Sequence, residues 1–212
     1  MTNAISQYSL GEELANAISH GLGAILSVIG LTFLVTYAAY NQTATHVTSF
    51  AIYGASLVIL FMASTLYHAV LNEKAKFILK RIDHCAIYLL IAGSYTPLML
   101  ITVPGVVGYT MLSIIWSCAI IGIVFKIKFA GKYQKISLAT YLIMGFAALA
   151  IIKPLYQQLP TGGLVLLVAG GLTYAIGVIF YAMKSVPYMH ALWHLFVLAA
   201  AICHFFMMAL YV

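Results

Sequence analysis

Residues 188–210, YMHALWHLFVLAAAICHFFMMAL, carry no Asp, Glu, Lys or Arg, and their length matches the roughly 17–25 apolar residues a helix needs to cross a bilayer. The stretch is read as a membrane span. His190 and His194 stand at its start, four residues apart. On a helix such residues share a face, with about 5–6 Å between their Cβ atoms, so both imidazoles can address one small object. A zinc ion is the natural candidate. A catalytic zinc usually keeps three protein ligands and a water, which sends the search for a third ligand into the rest of the chain.

Composition agrees with a membrane setting throughout. The chain has 212 residues, of which 64% are hydrophobic and 7% charged, against about 25% charged in an ordinary soluble domain. Its ten basic and four acidic residues gather between long apolar runs, as expected where hydrocarbon excludes them. The formal charge of +6 therefore reports loops facing an anionic membrane surface. No basic patch interleaved with aromatics occurs, so nucleic acid is not expected as a partner. Cys85, Cys118 and Cys203 lie inside apolar runs without C-x-x-C spacing, which indicates neither a disulfide framework nor a thiolate metal site.

Apolar runs of spanning length fall at 21–39, 48–70, 84–103, 106–125, 136–153, 162–182 and 188–210. This predicts an all-α integral membrane protein, a seven-transmembrane helix bundle over 21–212 preceded by a cytoplasmic N-terminal segment, 1–20. The first 19 residues lack Lys and Arg and include Glu12 and Glu13, unlike the basic start of a signal peptide, so the first run is expected to be a retained span. Between runs stand charges and turn residues, among them 71–82, Pro104-Gly105, 126–135, Pro154 and Pro160-Thr161-Gly162-Gly163. Lys74, Lys76, Lys80 and Arg81, then Lys126, Lys128, Lys132 and Lys135, then Lys184 lie on one side, with Lys153 the exception. Because cytoplasmic loops hold most Lys and Arg, the N-terminus is expected in the cytoplasm and the C-terminus outside.

This topology restricts the third ligand to the cytoplasmic end of some span. His68 is there, one turn before span two ends, with Ser64 four residues earlier on the same face. Asp83 opens span three after a loop of about a dozen residues, at the same depth. A carboxylate in such a place is costly unless paired, hydrogen-bonded or functional.

These residues resemble the progesterone and adipoQ receptor family, and within it the bacterial hemolysin III-like branch. The matching pieces are Glu13-Leu14-Ala15-Asn16-Ala17-Ile18-Ser19-His20-Gly21, the S-x-x-x-H of Ser64 and His68, Asp83-His84 leading into Ala92-Gly93-Ser94-Tyr95-Thr96-Pro97, and the H-x-x-x-H of His190 and His194. The resemblance implies a multi-pass protein of the bacterial cell membrane with zinc (Zn2+) held by His68, His190 and His194. It also implies that Ser64 and Asp83 engage the water at the metal or its surroundings. Eukaryotic members resemble alkaline ceramidases in these motifs and are linked to hydrolysis of a lipid amide.

Other polar residues have less direct readings. Asp83 has an alternative pairing with Arg81 or Lys80 at the water interface, and Ser64 an alternative bond to the carbonyl four residues back. His84 lies about 100° around the helix from Asp83, which makes it a supporting or interfacial group. Glu13, Asn16 and His20 share a helical face and either cap the cavity or belong to a surface helix. His46 sits in an outer loop, and His204 lies about 15 Å along its span from His194. Three functions stand at this point. The first is a zinc-dependent hydrolase whose substrate or ligand is a membrane lipid. The second is a receptor-like sensor of membrane state with structural zinc. The third, a pore-forming cytolysin, is disfavoured because no polar stripe runs through successive spans.

Overall fold

The computed structural model describes residues 8–129 and 133–212; Lys132 and the first seven residues of the expected N-terminal segment lie outside these. Among the described residues all regular structure is helical: α1 Leu10–Asn41, α2 Ala44–Ala69, α3 Glu73–Pro97, α4 Val106–Lys128, α5 Gln134–Gly145, α6 Ile152–Gln158, α7 Thr161–Ala182 and α8 Met189–Tyr211. A π-helical turn, Leu98–Thr102, extends α3, and a 3-10 stretch, Phe146–Ile151, joins α5 to α6. With these joined, seven helices are long and apolar enough to cross a membrane.

Two helix starts are fixed by local caps. The first helix begins at Leu10 and runs unbroken through residue 20 to Asn41. Ser9 and Glu12 form a capping box: Ser9 Oγ accepts from Glu12 N–H while the Glu12 carboxylate accepts from Ser9 N–H. Two orphan amides are satisfied reciprocally, which fixes the start there. The expected dozen-residue loop, 71–82, is also largely helix. Asn72 Oδ1 accepts from Ala75 N–H at 3.0 Å, and Glu73, Lys74, Ala75 and Lys76 are good helix formers, so α3 starts at Glu73. Asp83 therefore sits inside α3 rather than opening it.

The bundle is closed by neighbours in sequence and by its ends: α1 packs on α2 and α8, α2 on α3, α3 on α4, and α7 on α8. The α3 span is the most enclosed of the seven. Close approach to α2 occurs at Gly93, where a Cβ would lie 2.3 Å from Ser56 Oγ, the small-residue contact that lets membrane helices meet closely.

Two spans are broken for identifiable reasons. Pro97 lacks an amide proton and crowds the preceding turn; the π-turn follows it directly and is closed by Val103 N–H donating to Leu98 O at 2.9 Å. In the fifth span the Tyr95 hydroxyl of α3 enters the backbone ladder. It donates to the carbonyls of Met144 (3.0 Å) and Gly145 (3.1 Å) and accepts from Ala148 N–H (2.7 Å). A side chain inserted into a helix ladder is a recognised cause of such breaks. Pro154, expected as a boundary, lies within α6. The result matters for the site: α5 leans on α3 and α4, α7 on α8 and α6, and a cavity of about 180 Å³ lies between them and α3.

Candidate metal centre

Two helices bring the ligand candidates together. His68 lies in the last turn of α2, His190 and His194 in the first two turns of α8, and one nitrogen from each lies within 4.8 Å of the others. The three can hold a metal ion. His68 and His194 are buried, and His190 is partly exposed.

Hydrogen bonds settle which nitrogen of two rings faces inward. His68 Nδ1 lies 2.6 Å from Glu13 Oε2. At that separation the carboxylate, an acceptor only, must be receiving the Nδ1 proton, so the Asn16 Nδ2 contact to the same nitrogen at 3.4 Å adds no second donor bond. His68 Nε2 then carries the lone pair, and it is buried without any hydrogen-bond partner among the described residues. His194 Nδ1 lies 3.2 Å from the Asn16 carbonyl and 3.2 Å from Ser19 Oγ. A carbonyl only accepts, so Nδ1 donates and Nε2 is left for the cluster. Neutral imidazoles whose second nitrogen donates to a carboxylate or carbonyl are the usual setting of metal-binding histidines, and the orphaned His68 Nε2 is what such a site looks like from the protein side. The donor set fits zinc.

The start of α1 and the residue before its cap therefore supply neighbours to all three histidines. Glu13 serves His68, Asn16 and Ser19 serve His194, and the Tyr8 ring stacks on His190 with centroids 5.0 Å apart. Burial pushes the Tyr8 hydroxyl up, so it stays protonated. A further tie comes from Glu12 Oε1, which accepts Tyr188 N–H at 3.0 Å. Tyr188 caps α8 with a φ of 61°, a left-handed conformation uncommon outside glycine and costly enough to need support.

The other expected residues line one end of the cavity. Ser64 is buried, and its Oγ has no partner among the described residues, whereas its neighbour Thr65 bonds back to Phe61 O at 2.7 Å. Ser64 is thus not spent on the carbonyl four residues back. Asp83 and His84 both face the cavity; His84 Nδ1 donates to Lys80 O at 2.7 Å and lies 3.2 Å from Asp83 Oδ2. Asp83 stands on the wall, outside the group of three nitrogens, and its near partner is His84 rather than Arg81 or Lys80. His20 is buried, stacks on His194 with centroids 3.5 Å apart, and has neither ring nitrogen partnered among the described residues. His46 bonds Thr43 Oγ1, and His204 bonds Leu167 O; neither joins the cluster. From this polar end the cavity runs along α3 from Asp83 to Tyr95, about 18 Å at 1.5 Å per residue, between walls that include Ile87, Ile91, Leu138 and Val178. Deeper polar groups are already committed: Ser94 bonds Leu90 O, and His204 bonds Leu167 O.

Sequence reasoning missed Lys76, which it placed with the loop charges. Lys76 is buried and its Nζ lies 2.8 Å from Glu13 Oε1. The contact depends on the fold of α3's first turn, and no local pattern announces it. The capping box did have a readable signal, since Ser9-x-x-Glu12 before an apolar run marks a helix start.

The chain is similar over most of its length to known proteins. A profile of the Haemolysin-III related family matches residues 8–205. Hemolysin-3 of Bacillus cereus is 47% identical over 201 residues, 95% of this chain and 92% of that protein. The Hemolysin-3 homolog of Bacillus subtilis (strain 168) is 45% identical over 204 residues, covering 96% of each. Monocyte to macrophage differentiation factor of Homo sapiens is 32% identical over 203 residues, 92% of this chain and 82% of that protein. With seven membrane-crossing helices and this similarity, the chain is a multi-pass bacterial membrane protein that belongs to the haemolysin-III related family.

Proposed function

We propose that the chain is a zinc-dependent hydrolase of a membrane lipid amide or ester, with its site at the cytoplasmic side. One observation carries this reading: the three-histidine cluster stands at the polar end of a long, largely apolar cavity, with Ser64 and Asp83 on the wall beside it. His68, His190 and His194 would hold the ion. When bound, zinc supplies a Lewis acid that polarises a carbonyl and acidifies water. Asp83, outside the ligand group, is available to take a proton from an attacking water, as a general base does. His84, whose Nδ1 lies 3.2 Å from Asp83 Oδ2, is its near neighbour on the same wall. Ser64 Oγ, uncommitted to the backbone, is available to donate to a carbonyl oxygen as it gains charge. The apolar walls suit the chains of a lipid entering between α5 and α7, and they exclude water from all but the polar end. We assign that end to the cytoplasm because the basic residues of the α2–α3, α4–α5 and α7–α8 connections gather around it.

Zinc content, thermal stability and hydrolysis of a panel of ceramides and glycerolipids, measured on one preparation of wild type and Asp83→Asn, test the reading. The substitution keeps size and hydrogen-bonding capacity but removes the base. Zinc should stay bound while turnover falls by roughly 10²–10⁴. Zinc release together with loss of stability would make Asp83 a ligand instead. Wild-type protein that holds zinc and hydrolyses no lipid would leave a receptor-like sensor with structural zinc.

A further inference from the structure

Glu13 stands between a metal-ligand candidate and a buried cation. Its Oε2 receives the Nδ1 proton of His68 at 2.6 Å, and its Oε1 pairs with Lys76 Nζ at 2.8 Å. Lys76 Nζ in turn donates to Val70 O, the cap of α2, at 3.4 Å and lies over the Tyr67 ring at 5.4 Å. All three side chains are buried. A carboxylate in such surroundings is unfavourable unless paired and hydrogen-bonded, and here both oxygens are used, one on each partner.

This arrangement does more than join α1 to α2 and α3. An imidazole free to choose would exchange its proton between the two nitrogens and rotate about its side-chain bonds. With Nδ1–H bound to a carboxylate, the ring has one tautomer and one orientation, and the Nε2 lone pair points into the cluster before any ion arrives. The negative charge also makes Nε2 a better electron donor. His194 has the weaker version of the same device, a bond from Nδ1 to a neutral carbonyl at 3.2 Å. His190 shows a ring stack rather than a hydrogen bond on this side. The three ligand candidates are thus not equivalent, and His68 is the one held most firmly.

We propose that Glu13, braced by Lys76, is the positioning residue that presents His68 Nε2 to the metal and thereby sets how tightly the site holds it. The proposal rests on the three-histidine metal reading and adds a residue from a different helix, about fifty positions away in sequence from its target. Removing a partner of this kind lowers metal affinity by about 10–100-fold in sites of similar build.

Zinc dissociation constants from chelator competition on detergent-solubilised wild type, Glu13→Ala and Glu13→Gln, beside imidazole 15N spectra of the metal-free proteins, give the test. Glu13→Ala should bind zinc about 10–100-fold more weakly, and its His68 signals should change from a single Nδ1-protonated tautomer to a mixture. Glu13→Gln retains an acceptor for Nδ1–H but loses the charge, so its affinity should fall between the two while the tautomer persists. Should Glu13→Ala not fold, the comparison of Glu13→Gln with wild type carries the same test. Zinc bound equally tightly by wild type and both variants would overturn the role of Glu13 and leave the histidine site standing. Wild type that binds no zinc would overturn both.

Discussion

His194 is sealed inside the bundle with Nδ1 turned to the Asn16 carbonyl, whereas His204, about 15 Å further along α8, donates Nε2–H to Leu167 O. Each donates one ring N–H to a carbonyl and keeps one lone pair, so what separates them as ligands is position: His194 stands in the group of three imidazoles and His204 does not. The same test applied to His68 finds a buried Nε2 without a hydrogen-bond partner among the described residues. It follows that His68→Ala, His190→Ala and His194→Ala should each lose most bound zinc, since two protein ligands compete poorly for an ion that three hold. His204→Ala should keep it. Elemental analysis of the purified proteins decides the matter, and full occupancy in any of the first three removes that residue from the ligand set. His20 is a separate case: it stacks on His194 but is not one of the group of three.

The elements show where sequence is a good guide and where it is not. Long apolar runs placed all seven spans, because hydrocarbon leaves a chain no alternative but to satisfy its own backbone in helices. Charge misled at 71–82: Glu73, Lys74 and Lys76 look like a loop by polarity, yet they are helix formers behind the Asn72 cap. The break in the fifth span was invisible for a different reason. Nothing within 134–158 requires a 3-10 turn at Phe146–Ile151; the cause is the hydroxyl of Tyr95 on another helix, which takes over the carbonyls of Met144 and Gly145 and the amide of Ala148. Tyr95→Phe removes that group and leaves backbone atoms at a partly buried position without their partner. The variant should be less stable by about 1–3 kcal/mol, the cost of an unsatisfied buried polar group, while retaining zinc, because no ligand candidate is touched. Unfolding in a fixed detergent or bicelle, followed with metal content, checks this. An unchanged stability would mean that the fifth span re-forms a regular helix without help from α3.

At the scale of the whole molecule, the site is assembled from the two ends of the chain and the end of its second span, so no single stretch displays it. The His190 and His194 pair was legible because four-residue spacing is local. That His68 joins them depends on α1, α2 and α8 meeting at one end of the bundle, and the sequence offered that through matching depth and family resemblance rather than through any pattern of its own. The same end collects the basic residues: Lys76 reaches Glu13, Lys126 donates to Ser137 Oγ, and Lys184 bonds Gln134, while Lys153 stands apart in α6. Lys and Arg beside short connections set the orientation of a membrane protein, because they resist translocation. From seven spans and this asymmetry we propose that the histidine end and the N-terminus face the cytoplasm and the C-terminus the outside. Reporter fusions after the N-terminal segment, within 126–135 and at the C-terminus measure the three positions independently. The first two should report cytoplasmic and the third external. If instead the C-terminus is cytoplasmic and the first two external, the bundle keeps its shape but is inverted, and the metal site faces the outside. A zinc site there would draw on a different metal supply and meet the lipids of the other leaflet, so the choice of substrates in any hydrolysis assay depends on this result.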